Sequence, residues 1–341
     1  MQAEPQARAA SGETRGADIA LETLSSLCKA GGDQLRLQIL QILRQDSLAV
    51  QELCAIFDMR QPAMSHHLKV MTHSGLITSR REGNSIFYRR TVPANSNGLS
   101  KLQSCLYATI DQLTVPAELQ AHLQELRDER EQSSQQFFRQ NADKFRAQQD
   151  LIASYEQYAD TVAELLAEAA PANKRLALEV GPGDGAFLAR LAPVFEQVVA
   201  LDNAAEMLAQ SQQRASEDAL ANIEFVHGDT RHPRLAELQA DCIVVNMVLH
   251  HTPSPADIFQ DLAGCLAPTG VLLVTDLCRH DQDWARESCG DLWLGFEPAD
   301  LLDWAEQAGL QEVASAYLAQ RNGFQIQVRL FGHPQQNTIE H

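Results

Sequence analysis

The chain has 341 residues, 45% of them hydrophobic and 21% charged, with a formal net charge of -18. That length admits two domains with separate cores, and no apolar run reaches the roughly 18 residues that a membrane-spanning helix needs. Seven scattered cysteines without a CxxC pair exclude a disulfide framework or a zinc ribbon and point to a reducing, cytoplasmic setting.

The charge is unevenly spread. Residues 20–95 hold nine Lys/Arg against six Asp/Glu, a local +3, whereas residues 151–341 hold ten against twenty-eight, a local -18. The other residues supply the remaining -3. A mildly basic module joined to a strongly acidic one confines contact with DNA to the first. The opening MQAEPQARAASGETRG lacks the apolar core of a signal peptide, so residues 1–16 are expected to form a disordered lead-in.

Residues 17–115 read as the first domain. Leu35, Leu37, Ile39, Leu40, Ile42 and Leu43 fit one helix with a broad buried stripe. Val50–Phe57 is a short second helix, Asp58–Met59 a turn and Gln61–Met71 a third helix, with Pro62 in its first turn. The third helix carries Gln61, Ser65, His66, His67 and Lys69 between the apolar Met64, Leu68 and Met71. A short helix, a tight turn and a polar-faced helix suit a helix-turn-helix whose second helix enters the major groove. Leu76–Arg81 and Ser85–Arg90 then form a hairpin around Glu82-Gly83-Asn84. Its arginines, Arg80, Arg81, Arg89 and Arg90, are placed to grip phosphates while the third helix reads bases. Small helical domains with basic hairpins also mediate protein contacts, but the order of elements favours DNA.

The runs Leu35-Arg36-Leu37-Gln38-Ile39-Leu40, Gln61 to Met71 (QPAMSHHLKVM), Gly75-Leu76-Ile77 and Arg81-Glu82-Gly83 resemble the winged-helix regulators of the ArsR/SmtB family over about residues 20–92. The resemblance implies a homodimer on a palindromic operator, with the N-terminal helix and the helix after the wing, about Leu99–Leu113, packing across the two-fold. Many such relatives hold arsenite or soft metals through paired cysteines. Here Cys54-Ala55-Ile56 keeps one thiol, with Ile56 in the second place. Others bind zinc on the helix after the wing; His122 and Glu125 preserve half of that set, and Thr109-Ile110-Asp111 lacks the rest. No metal is expected, because the ligand count is short.

Residues 116–150 read as a helical connector, with Ala117–Glu131 and Phe137–Ala170 as long helices joined near Ser133–Ser134. Aromatic residues recur there at helical spacing. They either pack against the following domain or, through Phe145 or Tyr155, cover its ligand site.

Residues 151–341 alternate between strand and helix patterns. Leu176–Val180 is a strand, Gly181, Gly183 and Gly185 a turn, Ala186–Leu191 helical, and Val198–Leu201 a strand ending on Asp202. Further helices are placed at Ala204–Ser216, Arg231–Leu238, Pro255–Leu266 and Pro298–Ala308, and strands at Ile223–Val226, Cys242–Asn246, Val271–Thr275 and Gly323–Leu330. This order means an α/β, Rossmann-like, largely parallel sheet with ligand at the strands' carboxyl ends. The glycine spacing is GxGxG, without the third glycine of a dinucleotide site, and the acids Glu179 and Asp184 would repel a pyrophosphate and welcome a cationic ligand. Asp202 can accept ribose hydroxyls, and Asp229 in Gly228-Asp229 can meet an exocyclic amine.

That set resembles class I S-adenosylmethionine-dependent methyltransferases over about residues 150–330. The resemblance implies S-adenosylmethionine or S-adenosylhomocysteine as ligand. Tyr155, Glu179, Gly181, Gly183, Gly185, Asp202, Asn203, Met207, Gly228, Asp229, Thr230 and Asn246 are its expected contacts. His250 and His251 are candidate bases, equally suited to a pocket wall. The segment Trp293-Leu294-Gly295-Phe296 either caps an acceptor or packs. Two functions follow. In the first, the fusion resembles S-adenosylhomocysteine-responsive regulators of methionine-cycle genes, with the second domain sensing ligand for a repressor. In the second, it is an active small-molecule methyltransferase that also regulates its own operon.

Overall fold

The computed structural model describes residues 12–82, 85–93, 98–169 and 171–334. It divides into two compact units, Met1–Leu126 and Arg127–His341.

The first unit opens with α1 (Gly12–Gly31), which begins inside the stretch expected to be a disordered lead-in. It continues with α2 (Gln34–Ile42), β1 (Leu48–Ala49), α3 (Val50–Ile56), α4 (Gln61–His73), β2 (Ile77–Glu82), β3 (Ser85–Arg90) and α5 (Gly98–Asp111). The N-cap of α2 is Asp33, whose carboxylate accepts the Arg36 backbone N–H at 3.0 Å. Between α3 and α4 the chain turns through Asp58 at φ 46, and Met59 N–H donates to the Cys54 carbonyl at 2.9 Å. The core stripes of α2, α3 and α4 meet at Ile39, Leu40, Leu53, Met64 and Leu68, each fully shielded from solvent. The expected hairpin forms, with Ile77 opposite Arg90, and Glu82, expected in the turn, is the last residue of β2 and lies opposite Ser85. The expected turn residues Gly83 and Asn84 lie outside the described residues. A third strand, β1, pairs with β3; two residues are too short to leave a periodic signal.

Arg90 departs from its expected role. Its guanidinium makes two hydrogen bonds to Asp111 (3.0 and 2.7 Å), donates from Nε to the Leu40 carbonyl (2.7 Å) and stacks 4.9 Å from the Tyr107 ring centroid. It is an internal strut, pointed away from any phosphate.

α6 (Ala117–Ile152) is one uninterrupted helix, so the joint expected at Ser133–Ser134 is absent. Two serines cost a helix little, and nothing there removes a backbone donor. The division between units falls within α6, after Leu126, rather than at either end of a separate connector. Within the first unit, His122 Nδ1–H donates to the Ile56 carbonyl at the end of α3 (2.9 Å).

The second unit adds α7 (Tyr155–Ala169), β4 (Leu176–Val180), α8 (Leu188–Leu191), β5 (Gln197–Asp202), α9 (Ala205–Glu217), β6 (Ile223–His227), α10 (Pro233–Ala236) and β7 (Ala240–Asn246). Then follow α11 (Pro255–Cys265), β8 (Leu266–Leu277), α12 (Trp284–Cys289), α13 (Pro298–Gln307), β9 (Gln311–Ala319) and β10 (Gln325–Gly332). The strands order as β6-β5-β4-β7-β8-β10-β9. The first five run parallel, while β10 pairs antiparallel with both β8 and β9. This is a Rossmann-like mixed sheet. Its central strands carry near-continuous apolar runs because helices cover both faces, as Ala177, Leu178, Val199, Ile243 and Val244 at 0% exposure illustrate.

β9 goes unread in the sequence because its alternation is inverted. Val313 and Tyr317 face solvent at 57% and 45% exposure, while Glu312, Ala314 and Ala316 face inward. Glu312 is held by the buried Arg329 of β10, which also donates to the Tyr317 hydroxyl at 3.0 Å. The cysteines separate by unit: Cys28 and Cys105 are exposed and Cys54 partly buried in the first, and Cys242, Cys265, Cys278 and Cys289 are buried in the second. Among the described residues no helix is long and apolar enough to cross a membrane.

Candidate functional site

The two units present separate candidate sites. In the first, α4 turns Met64, Leu68 and Met71 into the core and leaves Gln61, Ser65, His66 and Lys69 exposed, with His67 half-buried. The wing adds Arg81, exposed, and Arg80 and Arg89, half-buried. One helix face and one hairpin thus carry every expected DNA-contacting residue except Arg90, which is spent internally.

In the second unit the glycine turn joins β4 to α8. Gly181, Gly183 and Gly185 have φ of 65°, 59° and 80°, a region that L side chains rarely adopt. At Gly181 an added Cβ would lie 2.5 Å from Val248 Cγ2, and at Gly185 it would lie 3.0 Å from the Ser211 backbone. Ser211 on α9 fixes the turn by donating to the Gly183 carbonyl at 2.7 Å. Val248 and Ser211 therefore pack directly on the backbone of the turn, which is why glycine is needed there.

The acids around the turn differ from one another. Asp184 is paired with Arg214 at 2.7 Å and caps the Ala186 N–H, so it is less available to a cationic ligand than expected. Glu179 is 2% exposed, and its Oε2 has no hydrogen-bond partner among the described residues. Burial, with the nearby Asp184 charge, pushes its carboxyl up to about 8. Asp202 at the end of β5 accepts the Ala204 N–H at 2.8 Å, and burial raises it to about 6. Asp229 is bound by Arg231 through Nε (3.2 Å) and Nη2 (2.7 Å), so an approaching amine would compete with a guanidinium. Thr230 donates to Asp261 at 2.5 Å and is committed there. Met207 is buried in the core at 3% exposure.

At the end of β7 the Asn246 side chain is buried with both its oxygen and its nitrogen unpartnered among the described residues. The next residue, Met247, sits at φ 56, a strained conformation of the kind that gathers at functional sites. The 3-10 turn Leu249–His251 follows. His250 Nδ1–H donates to Asp276 at 2.8 Å, and His251 Nδ1–H donates to the Gly290 carbonyl at 3.2 Å. Burial alone would lower the His250 imidazole, but Asp276 and Asp291 outweigh it and carry it to about 9. Burial and the neighbouring His250 push His251 well below its ordinary value. Both histidines are enclosed, and Trp293 Nε1–H donates to the Thr252 carbonyl (2.7 Å), so the Trp293 segment packs on this turn.

Tyr155 packs its ring 6.4 Å from Phe187, beside the glycine turn. Phe145, the other candidate cover, has a side chain outside the described residues. A cavity of about 290 Å³ lies between the ends of β5 and β6 and the side of α6, lined by Asn203, Gly228 and Asp229 opposite Glu131, Gln135 and Arg139. The three α6 residues were invisible as site residues because a polar helix face ordinarily meets solvent. Asp276 and Asp291 were missed too. Asp276 follows the apolar run of β8 as Asp202 follows β5, so a rule reading acids at strand ends would have found it.

These two assemblies define a winged helix-turn-helix unit and a Rossmann-like methyltransferase unit. The model of the bacterial regulatory protein arsR family matches residues 33–79, and that of the methyltransferase domain matches residues 178–274. The chain is 34% identical over 177 residues to an uncharacterized methyltransferase of Mycobacterium tuberculosis, covering 49% of this chain and 88% of that one. It is 34% identical over 71 residues to the arsenical resistance operon repressor of Staphylococcus aureus, covering 21% of this chain and 68% of that one. Among solved structures it is similar to N-methyltransferase NodS from Bradyrhizobium japonicum in complex with S-adenosyl-L-homocysteine, with a TM-score of 0.42 and 20% identity over 53% of this chain and 87% of that one. The chain belongs to the arsR family of regulatory proteins through its first unit and to the methyltransferases through its second.

Proposed function

We propose that this chain is a transcriptional repressor whose methyltransferase-like unit binds S-adenosylhomocysteine or S-adenosylmethionine as an effector, and that ligand loosens its grip on operator DNA. The observation that carries the reading is the buried Glu179 carboxyl beside the glycine turn, whose Oε2 has no hydrogen-bond partner among the described residues. Once ionised it needs a cation, and the ammonium of an amino-acid ligand supplies one. Gly181, Gly183 and Gly185 would pass beneath the amino-acid part, Asp202 would hold the ribose, and Asn246 would pair with polar atoms beside the sulfur. Adenine would enter the cavity walled by Asn203, Gly228 and Asp229. Tyr155 would cover the turn, and Met207 would act from the core behind it.

On DNA, Gln61, Ser65, His66, His67 and Lys69 would read the major groove and Arg80, Arg81 and Arg89 would hold phosphates, in a homodimer on a palindromic site. α6 carries both the cavity-lining Glu131, Gln135 and Arg139 and, earlier along it, His122 bonded to the end of α3. Coupling would run along this helix, and about 1–3 kcal/mol would make a usable switch. The targets we favour are genes of the methionine cycle.

Operator affinity of the full chain, measured by fluorescence anisotropy, is expected to fall 5- to 100-fold at saturating S-adenosylhomocysteine, within about the range such a coupling permits. Asp202→Ala should abolish the response and leave ligand-free DNA binding intact. A flat titration would sink the effector reading.

Methyl transfer to a small acceptor is the second reading, favoured by the family match over the second unit. His250 and His251 are then the candidate bases, and His250 must first lose the proton that Asp276 and Asp291 hold on it. Its full enclosure and its bond to Asp276 mean that the covering segment must open before an acceptor reaches it. Labelled S-adenosylmethionine with cell extract decides between the two: turnover supports the enzyme.

A further inference from the structure

Away from the glycine turn, the second unit encloses a compact set of ligating groups. His250 and His251 come from the 3-10 turn after β7, Asp276 from the end of β8, and Asp291 from the segment following α12. His250 and Asp276 are 0% exposed and Asp291 3%. Among the described residues no protein group satisfies His250 Nε2, Asp276 Oδ2 or either carboxylate oxygen of Asp291. Two enclosed carboxylates call for positive charge, which the His250 imidazolium supplies until a metal ion displaces its Nε2 proton.

We propose that His250, His251 and Asp291 bind a divalent transition-metal ion of the zinc class. One ligating atom from each of the three lies within 4.8 Å of the others. His250 Nε2 is 3.9 Å from Asp291 Oδ1. His250 is oriented as a metal-bound histidine is, with its second ring nitrogen donating to a fixed acceptor. For His250 the acceptor is the Asp276 carboxylate (2.8 Å), and for His251 it is the Gly290 carbonyl (3.2 Å). The Asp276 bond leaves His250 Nε2 for the ion and sets its tautomer, and His251 Nδ1 lies 3.7 Å from Asp291 Oδ1. Metal–ligand bonds of about 2.0–2.2 Å place ligand atoms roughly 3.3 Å apart, so binding draws the three groups together by up to about 1.5 Å. Asp291 can supply that movement, because it follows Gly290 at φ 75, where the chain leaves α12. Two imidazoles and one carboxylate, without thiolate, select zinc, cobalt and their neighbours over calcium or magnesium.

This site is independent of the cysteine and His122 positions where a metal is first sought in the first unit. It is also independent of whether the glycine turn holds an S-adenosyl ligand. The full-length protein, stripped with chelator and dialysed against Zn²⁺ or Co²⁺, is expected to take up one equivalent of metal, and the Co²⁺ form should show visible d–d bands. His251→Gln and Asp291→Asn should each weaken binding at least tenfold, while His73→Gln, at the exposed end of α4, keeps it. Circular dichroism checks that the variants fold. The wild-type protein alone tests the site if they do not. No stoichiometric uptake by the wild type, or uptake that survives both substitutions, would overturn the proposal.

Discussion

Replacing Glu179 with Gln is expected to stabilise the ligand-free protein at alkaline pH and to weaken its hold on an S-adenosyl ligand. The carboxyl rests at about 8 in the native state, against an ordinary value of 4.5. Between those values the folded protein keeps a proton that the unfolded chain has released, so stability declines as pH rises through that window. Each pH unit costs about 1.4 kcal/mol. Wild type and Glu179→Gln should therefore unfold alike in urea near pH 5, and the variant should be ahead by on the order of a few kcal/mol at pH 8.5. Asp202 and Asp291 are also raised, but both remain in the variant, so the difference isolates Glu179. Ligand affinity should move the other way. An ammonium pairs with the carboxylate form, so wild-type binding should tighten as pH rises toward 8, and the variant should bind tenfold or more weakly without that slope. Calorimetric titration at pH 6.5 and 8 reads both, and equal affinities in the two proteins would remove Glu179 from the site.

Arg90→Met should destabilise the first unit by about 2–4 kcal/mol, because it strands Asp111 and the Leu40 carbonyl. Only 11% of the Arg90 side chain and 22% of the Asp111 side chain are exposed, so solvent replaces little of the lost pairing. Hydrogen exchange in the α2 and α5 peptides of the full chain measures the loss. Arg81→Ala is the contrast: on an exposed strand end it should change stability by less than about 0.5 kcal/mol. It should weaken DNA binding and reduce the salt slope by about one. If the two variants had the same profile, the division between strut and phosphate contact would be wrong.

These cases show what a sequence can and cannot display. The apolar stripes of α2 to α4 and the runs of β4, β5 and β7 are local and repeat at the period of their own secondary structure, so they were legible. The glycine turn was legible because positive φ leaves a compositional mark. Arg90 was misread because a basic strand end looks the same whether it faces solvent or Asp111, which lies 21 positions further on. Asp184 was misread for the same reason, its charge being paired with Arg214 from another helix. β9 was passed over because its largest apolar residues, Val313 and Tyr317, face water while Glu312 faces inward. Asp276 and Asp291 escaped because burial, which gives an acid its importance, is a property of the folded chain.

The distribution of thiols has a practical result. Burial raises Cys265 and Cys278 to about 11 and Cys289 to about 12, and lifts Cys242 as well, so none of the four supplies thiolate near neutrality. Cys28 and Cys105 stand open to solvent in the first unit. A maleimide reagent on the native chain should therefore modify these two first, Cys54 more slowly, and the second unit only after it unfolds. The number of adducts by mass then gives a direct reading of which unit has lost its structure during heating.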